Sequence, residues 1–276
     1  MSYETINAHV DERGVGYLTL ARPKVKNAMN GTMYDEARSV LKRYSEDNNV
    51  RLVVLSGEGD VFCAGGDFKY QQSQNGKPRE ERIFEAKKLA LWLRELDTLN
   101  KPLIGRINGD AYAGGIGLVC ACDISIGTKT SSFAVTEARI GMVPGMISPY
   151  VVKRIGEANA RRLFLNAKSF KGEEAVRFGM LSMAVDHEAL DDAVEKEIDL
   201  SLRCSPKAVA VIKDLIRFVD RHGYDDNFGY TVDRVADMWD WDDATEGMAS
   251  FFERRLPRWD WRSARETIRN RDGEPA

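Results

Sequence analysis

Ile107-Asn108-Gly109-Asp110-Ala111-Tyr112-Ala113-Gly114-Gly115-Ile116-Gly117-Leu118-Val119 is the stretch on which the reading of this chain turns. The apolar run Leu103–Ile107 leads into it as a strand, and small residues continue from it as a helix to Ala121. Four glycines, Gly109, Gly114, Gly115 and Gly117, fall within nine residues, so backbone or ligand can approach closely. A strand–glycine turn–helix unit aims the unpaired N–H groups of the helix start at whatever lies above the turn. Taken alone, the stretch fits either a tight turn with close helix–sheet packing or a ligand site.

A second glycine turn shifts the balance towards a ligand site. Val61-Phe62-Cys63-Ala64-Gly65-Gly66-Asp67-Phe68-Lys69 follows the apolar run Leu52-Val53-Val54-Leu55, which reads as a strand buried on both faces. The same unit thus occurs twice, about 50 residues apart, as a ββα-type repeat. Two such turns can each offer one N–H to a single oxygen, and the donors expected here are those of Gly66 and Gly115. Neither turn is a nucleotide fingerprint. Gly114-Gly115-Ile116-Gly117 is too compressed for GxGxxG, and no GKS or GKT follows a strand.

Around these turns the chain reads in order. Residues 3–21 form a hairpin, closed by Arg22-Pro23. Residues 31–47 and 80–99 carry helical stripes, and a polar tract, 71–79, separates the second turn from the second helix. Residues 123–127 form a short strand, and 147–155, 159–165 and 173–178 read as successive helices. Beyond 190 nearly everything is helical, over 190–203, 206–221, 230–239 and 245–254. The expected organisation is an α/β core over 1–190, a helical region over 191–260 and a polar tail over 261–276.

Bulk properties narrow the class. The chain has 276 residues, 43% of them hydrophobic and 30% charged, which suits a globular enzyme. A net charge of −3 gives no basic field for nucleic acid or an anionic membrane, so neither is expected as a partner. No apolar run approaches the roughly 20 residues that cross a bilayer, and the N-terminus has no signal core. Cys120-Ala121-Cys122 has the wrong spacing for zinc, and no metal site is expected. Cys63, Cys120, Cys122 and Cys204 are read as buried thiols of a cytoplasmic protein. His9, His187 and His222 lie away from the glycine turns and are read as non-catalytic. Trp239, Trp241, Trp259 and Trp261 are read as subunit packing.

Four segments together resemble one family. Ala64-Gly65-Gly66-Asp67-Phe68-Lys69 is similar to AGxD[IFL]K, and Asn108 to Gly115 is similar to NGxAxGGG. Arg22-Pro23-Lys24 with Asn27-Ala28-Met29-Asn30 resembles RPxxxNAL, and Glu246-Gly247-Met248 with Phe251 to Arg255 resembles EGxxAFxEKR. In order over about residues 3–258, they resemble the crotonase, or enoyl-CoA hydratase/isomerase, superfamily.

The resemblance implies an α/β, crotonase-like spiral of ββα repeats with a C-terminal helical trimerisation region. It implies an acyl-CoA thioester substrate, no cofactor beyond the coenzyme A of that substrate, and a homo-oligomer, either a trimer or a dimer of trimers. It places the two-donor oxyanion hole at Gly66 and Gly115. It makes Lys26, Ala28, Ala64, Asp67, Phe68 and Lys69 candidate substrate contacts, with Pro144 and Gly145 of the proline–glycine turn. Arg254 and Arg255 match the tail whose basic residues reach the nucleotide end. Many hydratases of the family pair two glutamates. Here the second falls at Glu137, while the first, three residues past the oxyanion glycine, falls at Leu118. As a pocket wall, Leu118 would make the site more apolar and raise the Glu137 pKa.

The run Ile147-Ser148-Pro149-Tyr150-Val151-Val152 further resembles the bacterial methylglutaconyl-CoA and isohexenylglutaconyl-CoA hydratases. The expected activity is hydration of a branched, glutaconyl-type enoyl-CoA. The alternatives are Δ3–Δ2 enoyl-CoA isomerisation, a hydroxycinnamoyl-CoA hydratase-lyase, and a non-catalytic acyl-CoA-binding protein.

Overall fold

The computed structural model describes residues 2–263. In chain order the strands are β1 (Ile6–Val10), β2 (Val15–Leu20), β3 (Leu52–Gly57), β4 (Val61–Cys63), β5 (Leu103–Ile107), β6 (Asp110–Tyr112), β7 (Ile124–Thr128), β8 (Ser132–Ala134), β9 (Phe170–Lys171) and β10 (Met183–Val185). Helices α1 (Gly31–Glu46), α2 (Phe68–Gln72), α3 (Arg79–Asp97), α4 (Gly114–Ala121), α5 (Ser148–Asn166) and α6 (Gly172–Arg177) lie between them. Helices α7 (Leu190–Leu202), α8 (Pro206–Arg221), α9 (Tyr224–Met238) and α10 (Asp242–Glu253) follow.

Two sheets divide the strands. The larger has the order β1-β2-β3-β5-β7-β10, and the smaller β4-β6-β8-β9. Three successive strand pairs, β3 and β4, β5 and β6, β7 and β8, each send their first strand to the large sheet and their second to the small one. The ββα repeat expected from two turns therefore occurs a third time, through β7 and β8. The short strands β6 and β8 carry too few residues to show a period-2 pattern. Within the small sheet β4, β6 and β8 are parallel, with Cys63 opposite Ala111 and Tyr112 opposite Ala134. Their C-terminal ends share one edge.

Residues 1–99 with 103–197 form one compact unit, and residues 100–102 with the described residues from Ile198 onward form a second. In the first, α1 lays Met33, Ala37, Val40, Leu41 and Tyr44 into the core, and α3 adds Leu89, Trp92, Leu93 and Leu96. Helix α5 spans both expected helices with one break at Gly156, whose φ of 75° belongs to the left-handed region. In the second unit α9 begins at Tyr224, six residues before the expected start at 230. Asp225 and Asp226 in its first turn favour the positive end of the helix dipole. Of the expected tail, 261–276, residues 264–276 lie outside the described residues. Cys63, Cys120 and Cys122 are buried thiols, whereas Cys204, expected to be buried, is exposed on the turn after α7.

A buried asparagine ties the first glycine turn to the N-terminal loop. Asn27, fully buried, accepts from the Arg22 N–H at 2.9 Å and donates through Nδ2 to the carbonyls of Glu58 and Val61 at 2.9 and 2.8 Å. It sits at a φ of 54°, a region that asparagine tolerates better than most residues. Asn27→Ala strands these buried groups, so unfolding in urea is expected to show a loss of about 2–4 kcal/mol. A loss below about 0.5 kcal/mol would show that the loop does not depend on the asparagine.

Candidate active site

The three strands sharing an edge deliver three pieces of one cavity. Gly66 follows β4, Gly114 opens α4 after β6, and Glu137 follows β8. All three line a cavity of about 480 Å³. Its other walls are largely apolar and include Leu89, Ile140, Met142, Val143 and Ile147.

The direction of the Gly66 N–H follows from pairing across the turn. Met29 N–H donates to the Gly65 carbonyl and the Asp67 N–H to the Met29 carbonyl, both at 2.8 Å. Extended backbone alternates its hydrogen-bonding direction, so the Gly66 N–H between them points away from Met29 and into the cavity. It has no acceptor among the described residues. Gly65 makes the turn with a φ of 97°, and a Cβ there would meet the Tyr112 carbonyl at 3.0 Å. Glycine is required on both counts.

On the second turn, Ala113 has φ 48° and ψ −118°, a strained combination for a residue with a Cβ. Its own N–H is held by the Ala134 carbonyl at 3.0 Å. The next N–H, that of Gly114, belongs to the first residue of α4 and has no acceptor within the helix. A Cβ placed on Gly114 would stand 3.9 Å from the Gly66 nitrogen. The two turns therefore lie side by side at their glycines, each with an N–H that has no acceptor among the described residues.

This corrects the expected donor on α4. Gly115 does not line the cavity; a Cβ there would lie 2.5 Å from the Cys63 carbonyl oxygen, so its open side is filled by β4. The expected wall at Leu118 shifts with it. Leu118 is fully buried in the hydrophobic core and does not face the cavity. Three residues past Gly114 stands Gly117, whose missing side chain is replaced by Ile147 Cγ2, 2.4 Å from the Cβ position. An isoleucine from the segment just before α5 thus fills the space that a side chain on α4 could occupy.

Glu137 is half-buried, and its Oε2 is buried without a hydrogen-bond partner among the described residues. Burial raises its pKa above the ordinary carboxylate value, against the opposing pull of its own backbone N–H and that of Thr136. Glu137 lines the cavity, and a half-buried carboxylate at an apolar wall is equipped to take and return a proton.

The other expected contacts separate. Ala64, Phe68, Pro144 and Gly145 line the cavity. Asp67 does not; it caps α2 by accepting from the Lys69 and Tyr70 N–H groups and pairs with Arg22 at 3.0 Å. Burial opposes its ionisation, but these donors outweigh it and hold the carboxyl below its ordinary value. Lys69 is exposed and lines a separate hollow with Arg22, Asp35 and Lys88. Lys26 is exposed at a φ of 54°, and Ala28 gives its carbonyl to Arg22 at 2.5 Å; neither reaches the cavity. Arg254 and Arg255 belong to the second unit, where Arg255 is paired with Glu246 and Glu253 at 2.6 Å. The cavity also holds Gln71, Tyr70, Arg82 and Glu85, none of them among the expected substrate contacts. The first lay in a tract read as a polar loop, and the last two lie on the less apolar side of α3.

The enoyl-CoA hydratase/isomerase family model matches residues 11–262, and the chain belongs to that family. It is similar to the carnitinyl-CoA dehydratase of Proteus mirabilis, at 31% identity over 91% of this chain and 97% of that one. It is also similar to the bacillaene synthase dehydratase PksH of Bacillus subtilis, at 32% identity over 80% and 83%. Among solved structures, an enoyl-CoA hydratase from Shewanella pealeana superposes with a TM-score of 0.89 at 30% identity, over 93% of this chain and 96% of that one. Pseudomonas aeruginosa AtuE gives a TM-score of 0.89 at 32% identity, over 93% and 100%. The crotonase-like α/β architecture is thereby established, and the protein is an enzyme of this family.

The raised pKa of Glu137 has a consequence for stability. The folded state holds the Glu137 proton more tightly than the unfolded state does, so ionisation at higher pH destabilises the fold. The penalty is complete above the folded pKa and fades as pH falls towards the unfolded value of about 4.3. Glu137→Gln is therefore expected to melt above the wild type near neutral pH, with the difference closing as pH approaches about 4. A variant that melts lower at neutral pH would show the carboxylate to be a structural anchor.

Proposed function

We propose that this protein hydrates an α,β-unsaturated acyl-CoA and that its acyl group is branched and glutaconyl-like. The observation that carries the reading is the meeting of Gly66, Gly114 and the Glu137 carboxylate at one largely apolar cavity. In this reading the thioester oxygen lies between the two N–H groups, which stabilise the enolate formed when water adds at Cβ. Glu137 takes the water proton and returns one to Cα. No cofactor is needed, because the thioester supplies the electron sink.

The branched acyl group has two supports. The cavity is broad and lined by side chains of several shapes, among them Leu89, Met142, Val143 and Ile147. Its lining also holds one cation, Arg82, whose guanidinium has no carboxylate partner among the described residues and would suit a distal carboxylate. Glu85, on the same wall, is already engaged by the Tyr70 hydroxyl and lies 3.6 Å from Lys88.

Absorbance of the conjugated enoyl thioester tests the reaction. A panel of linear, branched and glutaconyl-type enoyl-CoAs should lose the band on mixing, most rapidly for the last. Glu137→Gln should lower turnover by about 10⁴ or more while acyl-CoA affinity changes little. Gain of the band from a Δ3 substrate, with no loss from any Δ2 substrate, would make the protein an isomerase. Binding without any change would make it a carrier.

A homo-oligomer, trimer or dimer of trimers, belongs to the same proposal. In the second unit Ile212, Ile216 and Val219 on α8, Phe228, Val232 and Val235 on α9, and Phe251 and Phe252 on α10 are exposed. Apolar surface of this extent in one small unit is a mark of burial in an assembly. Light scattering is expected to give a multiple of the 31.0 kDa chain mass, three or six times it. A stable monomer at micromolar concentration would overturn this.

A further inference from the structure

We infer that the Gln71 side chain is a third hydrogen-bond donor to the thioester oxygen, one made possible by the absence of a side chain at residue 66. The inference rests on the acyl-CoA reading above and deepens it. Gln71 lies on α2, one turn beyond Gly66, and lines the same cavity as Gly66, Gly114 and Glu137. Its backbone is committed to the helix: Gln71 N–H donates to the Asp67 carbonyl at 2.8 Å. Its side chain folds back over the turn. A Cβ built on Gly66 would stand 2.2 Å from Gln71 Nε2, 3.0 Å from its Cδ and 3.6 Å from its Cγ. The amide therefore occupies the space that any residue other than glycine would fill at this position. It is in van der Waals contact with the residue whose N–H faces the cavity.

No hydrogen bond among the described residues accounts for the amide being there. It makes no hydrogen bond among the described residues, although Gln74, three residues on, uses its own amide to reach the Tyr70 carbonyl at 3.1 Å. Folding a flexible side chain over a backbone without such a bond costs side-chain entropy. A ligand oxygen held by the neighbouring Gly66 N–H would supply the missing acceptor. Of the Gln71 atoms, Nε2, the donor end of the amide, comes nearest to the position a Gly66 Cβ would take, which suits an oxygen that gains negative charge. The proton stays on nitrogen throughout; the amide stabilises charge and transfers nothing.

The coupling gives the test its shape. Because the clash at residue 66 is with the far end of a flexible side chain, Gly66→Ala can fold by pushing the Gln71 amide aside. Gly66→Ala, Gln71→Leu and the double variant are then compared with the wild type in enoyl-CoA turnover. Each single change is expected to lower kcat by about 10- to 100-fold, at or below the loss typical of an oxyanion donor. The double variant should be no worse than the poorer single one, since both changes remove one interaction. Gln71→Glu should fall below Gln71→Leu, because a carboxylate beside a developing enolate repels it. If Gln71 instead held the attacking water, Gln71→Glu would be the better of the two, and the inference would fall.

A second readout does not depend on turnover. Butyryl-CoA labelled with ¹³C at the thioester carbonyl has no double bond to hydrate. Its carbonyl stretch should move to lower frequency on binding the wild type, and by less on binding Gln71→Leu or Gly66→Ala. Equal shifts in all three proteins overturn the role of Gln71 and leave the acyl-CoA reading intact. Failure of the wild type to bind butyryl-CoA overturns both. A shift that depends on Gln71 in a protein that hydrates nothing keeps the donor and removes the hydratase.

Discussion

The parallel pairing of β4, β6 and β8 is the constraint from which the site follows. Parallel neighbours in register end on the same side, so whatever succeeds each strand is delivered to one edge. Here the three successors are a glycine turn, a second glycine turn and a carboxylate. No long-range coincidence is needed to bring residues 66, 114 and 137 together. The large sheet is connected to the small one by short links after β3, β5 and β7, and its buried strands fix where each of those links starts. The three-strand edge is thus set by the core, and α2 and the segment before α5 complete the cavity above it.

Two local devices then orient the donors. Met29 grips the first turn on both sides of Gly66, which leaves the Gly66 N–H facing outward from that bridge. Ala113 is held in a strained conformation by the Ala134 carbonyl, so a bond from β8 sets the start of α4. Strain of this kind persists only where the surroundings over-determine it. Here the surroundings are the same three strands, and Met29 Cε would meet any Cβ on Gly114 at 2.4 Å. The glycine is required by packing as well as by access.

Much of this was legible in the sequence, and the part that was not has a physical cause. The two glycine turns stood out because small residues and special backbone angles leave a compositional trace. The position of Glu137 stood out because it lies at a fixed distance along a motif. The choice between Gly114 and Gly115 could not be read, since adjacent glycines are identical in type and differ only in which one touches β4. That contact, between Gly115 and the Cys63 carbonyl, joins residues one whole repeat apart. The error carried forward three residues, placing Leu118 where Gly117 stands. Gln71 was hidden for a different reason: a polar residue in a polar tract has no signature until its side chain is seen folded over Gly66.

The substitution of apolar surface for a second carboxylate changes what shifts the remaining one. Were a carboxylate to stand beside Glu137, repulsion between like charges would raise one pKa and couple the two titrations. With Gly117 and Ile147 in that space, the shift at Glu137 comes first from burial. A shift caused by burial depends on water, and water in such a cavity depends on the substrate. In the proposed reading, an acyl chain lying against Ile140, Met142 and Ile147 would close the rest of the cavity beside a carboxylate oxygen that is already buried. On that reading, the basicity of Glu137 during turnover would follow how well the acyl group fits, with no second carboxylate on α4 to couple to it.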